Sequence, residues 1–329
     1  MASPARVPPK GVFVPSPTFF QPPPADGSPA AVDVAAQVAH SVFLARAGIT
    51  GIVLLGSTGE AIHLTRDERV ALVAGVREGV GAGYPLMAGV LTSGGLADTL
   101  EWLADVAAAG ADWGLVLAPG YFGTAASQSS LASWYARVAD ASPIPILVYN
   151  YPGVTNQVLV LPETYPTLAA HPNIVGCKMS HGNVSHHVQV SLDPAIDHDR
   201  FRVYSGFGQQ LGPIVLFGAA GVIDGMAAFF PKTVVRLMAL ALALAAADDS
   251  TAASGSAAEI RRLQFVVSRA EEFVVRYGLI GIKEAVFRVT GIGAFDTGRL
   301  PIVGKLPDGE WDKARGLFLS EIEKTEASL

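Results

Sequence analysis

The chain has 329 residues, 50% of them hydrophobic and only 16% charged, so disorder is excluded as its main state. A net charge of −6 with no basic block excludes nucleic acid and an anionic membrane surface as expected partners. The single cysteine, Cys177, excludes an internal disulfide framework and a multi-cysteine zinc site, and points to a reducing, cytoplasmic setting.

The opening MASPARVPPK lacks the apolar core of a signal peptide, and the terminal Ala-Ser-Leu is not a convincing organelle address. Eight short apolar runs follow one another: Gly11–Ser16, Gly51–Gly56, Pro85–Val90, Trp113–Pro119, Pro145–Asn150, Asn173–Ser180, Arg202–Gly206 and Gly221–Met226. Most are nearly continuous in Val, Ile and Leu, the pattern of parallel strands covered on both faces. Helix-compatible stretches lie between them, among them Val32–Ala47, Thr65–Gly79, Gly95–Ala109 and Ser127–Ala141. Thr65 followed by Asp67 and Glu68 is a helix start, and Gly48 and Gly110 stand where helices should end. Pro22–Pro24 reads as a loop after the first strand. Eight strand–helix units in series predict a (β/α)8 TIM barrel.

After the eighth strand only helices are expected: Lys232–Ala247, Ala257–Tyr277, Gly281–Val289 and Glu310–Ser328, with an exposed loop over Asp248–Ser256. The apolar run Val234–Ala247 is interrupted by Arg236 and is shorter than the roughly 18–20 residues that span a bilayer. The expected division is therefore a barrel core over residues 1–230, and the last barrel helix with a C-terminal helical extension over 231–329.

A barrel keeps its chemistry at the C-terminal ends of its strands, and three such ends carry reactive side chains. The second runs into Gly56-Ser57-Thr58-Gly59-Glu60, where glycines permit a tight turn while free N–H groups and two hydroxyls suit a carboxylate. An ordinary strand-to-helix turn explains the same residues. The sixth carries Gly176-Cys177-Lys178-Met179. Alternation puts Gly176, Lys178 and Ser180 on one face. If that face is the interior, desolvation lowers the lysine pKa and makes Lys178 a Schiff-base nucleophile; the alternative is a snorkelling or ion-paired lysine. The fifth ends in Tyr149-Asn150-Tyr151-Pro152, where a phenol beside an amine shuttles protons and Asn150 orients a neighbour. Tyr121, past the fourth strand, is a similar aromatic. Gly206–Gly212 narrowly misses a dinucleotide fingerprint, its third glycine one residue late. His181, His186 and His187 lack a matching carboxylate–histidine set and read as a polar loop, so neither metal nor cofactor is expected.

Taken together, in order and spacing, these motifs resemble the pyruvate-dependent class I aldolase family typified by dihydrodipicolinate synthase and N-acetylneuraminate lyase. The resemblance runs from Gly11 to about Pro301 and includes Ser205-Gly206, Gly221-Val222-Ile223, Ile282-Lys283-Glu284-Ala285 and Arg299-Leu300-Pro301. It implies that Lys178 forms the Schiff base with a pyruvyl unit. Ser57 and Thr58, beside Gly56, would hold the pyruvyl carboxylate, Tyr149 would shuttle the proton, and Ile223 would line the pocket. Tyr121 matches a tyrosine inserted into a neighbouring subunit's site, which implies a homo-oligomer, dimer or tetramer, and a small keto acid as the only other partner.

Two departures narrow the substrate. Val154 occupies the place of the arginine with which dihydrodipicolinate synthases bind a second carboxylate, and Gly208 and Gln209 replace the acidic pair of sialic acid lyases. The resemblance then points to the fungal-type aldolases of 2-keto-3-deoxy sugar acids, such as 2-keto-3-deoxy-L-galactonate, with Ser205, Gln209, Asp224 and the His181–Asn183 loop as polar groups for a hydroxylated chain. The competing expectations are a 4-hydroxy-2-oxoglutarate aldolase, a dihydrodipicolinate synthase-like enzyme or sugar acid dehydratase using the same imine, a metal-dependent aldolase, and a non-catalytic barrel that binds a keto acid.

Overall fold

The Val-, Ile- and Leu-rich runs form β1 (Gly11–Pro15), β2 (Gly51–Leu54), β3 (Leu86–Val90), β4 (Trp113–Leu117), β5 (Ile146–Asn150), β6 (Ile174–Met179), β7 (Arg202–Ser205) and β8 (Gly221–Ile223). The computed structural model describes residues 5–91, 95–247 and 253–329, without the side chains of 253–256. Each strand lies parallel to the next, and β8 pairs back onto β1 to close the barrel. Both faces of every strand are buried, apart from Arg202 at the start of β7, because inward side chains fill the interior and helices cover the outside. The predicted TIM barrel is borne out.

The outer helices are α1 (Val34–Arg46), α2 (Arg66–Val80), α3 (Leu96–Ala108), α4 (Gln128–Ala141), α5 (Tyr165–Ala169), α6 (Val184–Leu192), α7 (Leu211–Leu216) and α8 (Pro231–Ala245). Thr65 caps α2 in a full capping box with Glu68, as the sequence predicts. Gly48 and Gly110 close α1 and α3 with φ of +87° and +103°. Pro22–Pro24 is an exposed loop. Among the described residues no helix is long and apolar enough to cross a membrane.

Most strands stop one to three residues short of the expected ends, and at β2 and β8 the local reason is plain. Leu55 takes a left-handed φ of +59° and ends β2 before Gly56. A side chain on Gly89 would meet the Leu55 carbonyl oxygen at 2.2 Å, so the neighbouring strand needs glycine there. Asp224 ends β8 by accepting hydrogen bonds from Met226 N–H (3.4 Å) and Ala227 N–H (3.2 Å), which starts a short turn.

The two tail helices expected at Ala257–Tyr277 and Gly281–Val289 are one run, α9 (Ala253–Thr290), kinked at Gly278 with φ +56° and ψ −145°. Of the loop expected at Asp248–Ser256, residues 248–252 lie outside the described residues, and the remainder begins α9. The last helix divides into α10 (Glu310–Ala314) and α11 (Ser320–Ser328), joined by a wide turn over Arg315–Leu319. The Gly278 conformation is open to almost no residue with a β carbon. Gly278→Ala is expected to cost about 1–3 kcal/mol, measured as a lower denaturant midpoint at unchanged slope.

Candidate active site

The barrel mouth encloses a cavity of about 410 Å³, lined by strand ends on one side and by the kink of α9 on the other. Lys178 reaches it from β6, where it pairs in register with Tyr149 of β5. Cys177 faces the opposite side and is fully buried, which pushes its thiol pKa up. Lys178 Nζ donates to the Tyr149 hydroxyl at 3.4 Å and stands 4.5 Å from the centre of its ring. The Tyr149 hydroxyl in turn lies 3.4 Å from Ser57 Oγ.

Desolvation lowers the Lys178 pKa from 10.5 to about 7, against the smaller opposing pull of the Asp224 charge. The amine is therefore substantially neutral, and nucleophilic, near neutral pH. Burial raises the Tyr149 pKa, while hydrogen bonds to Ser57 and Ser180 oppose the rise. Tyr149 is thus a neutral phenol that gives one proton while accepting another. Ser57 and Thr58 line the same cavity, together with Ile223 and Ser180. Glycine is required at 206, where a β carbon would stand 2.2 Å from Ser180 Oγ.

Other residues singled out in the sequence stand elsewhere. Gly56 is buried beneath the turn, which continues into a short 3-10 segment, Ala61–His63, rather than straight into α2. Ser205 is buried, donating to Gln210 Oε1 and accepting from Phe207 N–H. Gln209 buries its Oε1 away from the cavity wall. Asp224 is fully buried behind that wall, turned to the Met226 and Ala227 amides. Asn150 pins the loop after β5 through Val160 and Tyr165 instead of reaching a reacting group. The rings of His181, His186 and His187 pack edge to face, and among the described residues no three His, Cys, Asp or Glu side chains gather as a metal site. Tyr121 is 79% exposed and outside this chain's own cavity.

What sequence reasoning missed comes from α9: Glu271, Val274, Gly278 and Ile282 all line the cavity. The signal was periodicity, because Val267, Glu271, Val274 and Gly278 recur at helical spacing and so put an acid on the inward face. Farther along α9, Lys283 forms an ion pair with Glu60 of the turn after β2, both side chains at most 7% exposed. This pair ties the two cavity walls together. Arg299 clamps the same region from outside, donating to Glu68, Ala30 O and His63 O. Lys283→Met leaves the Glu60 carboxylate buried without its cation and is expected to cost about 3–5 kcal/mol in denaturant unfolding, most of which adding Glu60→Gln recovers.

The Dihydrodipicolinate synthetase family model matches residues 28–310. The chain is 33% identical over 296 residues to "L-threo-3-deoxy-hexylosonate aldolase" of Hypocrea jecorina, covering 87% of this chain and 89% of that one. It is 33% identical over 287 residues to "Probable 4-hydroxy-2-oxoglutarate aldolase, mitochondrial" of Emericella nidulans, covering 86% of each. Among solved structures it resembles a dihydrodipicolinate synthase family protein from Coccidioides immitis, with a TM-score of 0.83 and 29% identity, covering 98% of this chain and 99% of that one.

Proposed function

This chain belongs to the dihydrodipicolinate synthetase family and is a class I aldolase, a carbon–carbon lyase; on that premise we propose that it cleaves a 2-keto-3-deoxy sugar acid to pyruvate and a hydroxyaldehyde. One observation carries the reading: a buried lysine with a pKa near 7 stands 3.4 Å from a neutral tyrosine, in a cavity whose wall offers Ser57 and Thr58 to a carboxylate. Lys178 attacks the keto carbon and expels its oxygen as water, leaving an imine. Tyr149 takes the proton of the C4 hydroxyl as it passes its own toward Ser57. The C3–C4 bond breaks and its electrons enter the protonated imine, leaving an enamine instead of a free carbanion. The aldehyde departs, the relayed proton returns from Ser57 through Tyr149 to C3, and water releases pyruvate.

Among the described residues no cation besides Lys178 lines the cavity, and Val154 is half exposed on a separate apolar hollow. A substrate with a second carboxylate, such as 4-hydroxy-2-oxoglutarate, thus lacks a counter-ion here, which favours the sugar acid. That hollow, about 370 Å³, opens beside Ser57 between Ile62, Leu91, Leu117 and Val154. It suits an aromatic side chain from outside, and Tyr121 and Phe122 protrude as an exposed aromatic pair. Both features support a homodimer as the minimal unit, with Tyr121 of one protomer entering the hollow of its partner. A cytoplasmic setting belongs to the same proposal and is checked by fractionation of the native host.

The test is a screen of 2-keto-3-deoxy sugar acids alongside 4-hydroxy-2-oxoglutarate, with pyruvate and aldehyde measured together. Equimolar release from a sugar acid is expected. A dehydrated keto acid without an aldehyde would mark a dehydratase, and turnover of 4-hydroxy-2-oxoglutarate alone would reverse the substrate assignment.

A further inference from the structure

The steps above give no part to Glu271, the one acidic side chain lining the cavity among the described residues. Glu271, on α9, lines the chamber that holds Lys178 and is only 3% exposed; its Oε1 is enclosed on the side of Gly208 and Asp224 and has no hydrogen-bond donor there. Asp224 lies directly behind it. The two carboxyl groups converge on Gly208, where a β carbon would stand 2.6 Å from Glu271 Oε1 and 3.2 Å from Asp224 Oδ2. Two carboxylates packed this closely in a buried place do not both ionise, so the pair shares one proton.

The backbone decides which partner holds it. Each Asp224 oxygen already accepts an amide N–H, from Met226 and Ala227, whereas Glu271 Oε1 has no donor. The proton therefore resides on Glu271, whose pKa burial and the Asp224 charge drive well above the usual carboxylate range. A protonated Glu271 donates to Asp224 through one oxygen and leaves the other, carbonyl-like oxygen to accept a hydrogen bond from the chamber. A hydroxyl donor satisfies it. A carboxylate does not, because the pair retains one negative charge and Lys178 is engaged by the pyruvyl unit.

We propose that Glu271, backed by Asp224, receives a hydroxyl of the departing aldehyde half and makes this cavity select neutral hydroxyaldehydes over aldehydes that carry a carboxylate. The proposal rests on the aldolase reading above. Subtracting pyruvate's three carbons from a six-carbon 2-keto-3-deoxy acid leaves glyceraldehyde, and from 4-hydroxy-2-oxoglutarate leaves glyoxylate, so these two aldehydes are the probes.

In the condensation direction, pyruvate is supplied with either aldehyde and kcat/KM is compared. The intact protein is expected to favour glyceraldehyde. Glu271→Leu should lower that kcat/KM by about tenfold or more and shift the ratio toward glyoxylate, as loss of a desolvated hydrogen bond requires. Glu271→Gln is a neutral side chain of the same shape, which donates to Asp224 and keeps an oxygen toward the chamber, and it should stay close to the parent. An unchanged ratio in Glu271→Leu, or a loss in Glu271→Gln as large as in Glu271→Leu, overturns the proposal. Should the leucine variant not fold, infrared difference spectra decide. The carbonyl band of a protonated carboxylic acid should be present at neutral pH and vanish in Glu271→Gln, and its absence from the parent overturns the proposal. Failure of the aldolase reading itself looks different: the parent then forms no borohydride-reducible adduct with pyruvate at all.

Discussion

Lys178→Ala lowers carbon–carbon cleavage by on the order of 10⁵-fold or more and leaves no reducible pyruvyl adduct, as measured by pyruvate release and intact mass after borohydride. The magnitude follows from the chemistry, because without the amine the cleaved bond has no cationic imine to receive its electrons. Burial is what makes the amine competent. With a pKa of about 7 in place of 10.5, roughly half of the lysine is neutral at pH 7, a gain of about a thousandfold over an ordinary lysine. The sign is set by the active form: imine formation needs the neutral amine, so its rate with pyruvate rises with pH through about 7 and then levels. Below that pH the lysine is protonated and the rate falls about tenfold per unit.

Tyr149→Phe keeps the imine and loses the relay. The phenol hydroxyl lies 3.4 Å from both Lys178 Nζ and Ser57 Oγ, so it joins the amine to the turn after β2. Removing it should slow cleavage by about 10²- to 10⁴-fold while the pyruvyl adduct on Lys178 still forms. Adduct yield and turnover measured on the same preparation separate the two roles. Normal turnover in the variant would move the proton relay to another group.

The barrel was legible in the sequence because its signal is local. Eight apolar runs, each followed by a helix-compatible stretch, leave few alternatives, and Thr65 with Glu68, and Gly48, mark helix ends by backbone chemistry alone. The lysine and tyrosine were legible for the same reason, since both lie on adjacent strands whose alternation fixes the face they present. Orientation beyond a strand end was not. Asp224, Ser205 and Gln209 have the right chemistry for a hydroxylated chain, but backbone amides and neighbouring side chains decide where they point, and these are long-range or turn-specific effects. Glu271 stood beside Glu272 in a helix of ordinary composition, and only packing of α9 across the barrel mouth gives the pair different surroundings. Gly278 falls in the gap expected between two helices, yet the kink that brings α9 over the cavity places it on the same wall-lining set as Tyr149 and Lys178, residues of distant strands that no local pattern connects to it.

The most direct measurement is borohydride reduction of the protein with pyruvate across a pH series, followed by peptide mapping. One pyruvyl adduct is expected, on Lys178, with an initial rate that rises through a midpoint near pH 7. The informative rival is Lys283, the other buried lysine, which Glu60 holds in an ion pair. An adduct mapped to Lys283, no adduct at all, or a rate that rises only toward pH 10.5 would contradict the assignment of Lys178 as the buried, neutral nucleophile.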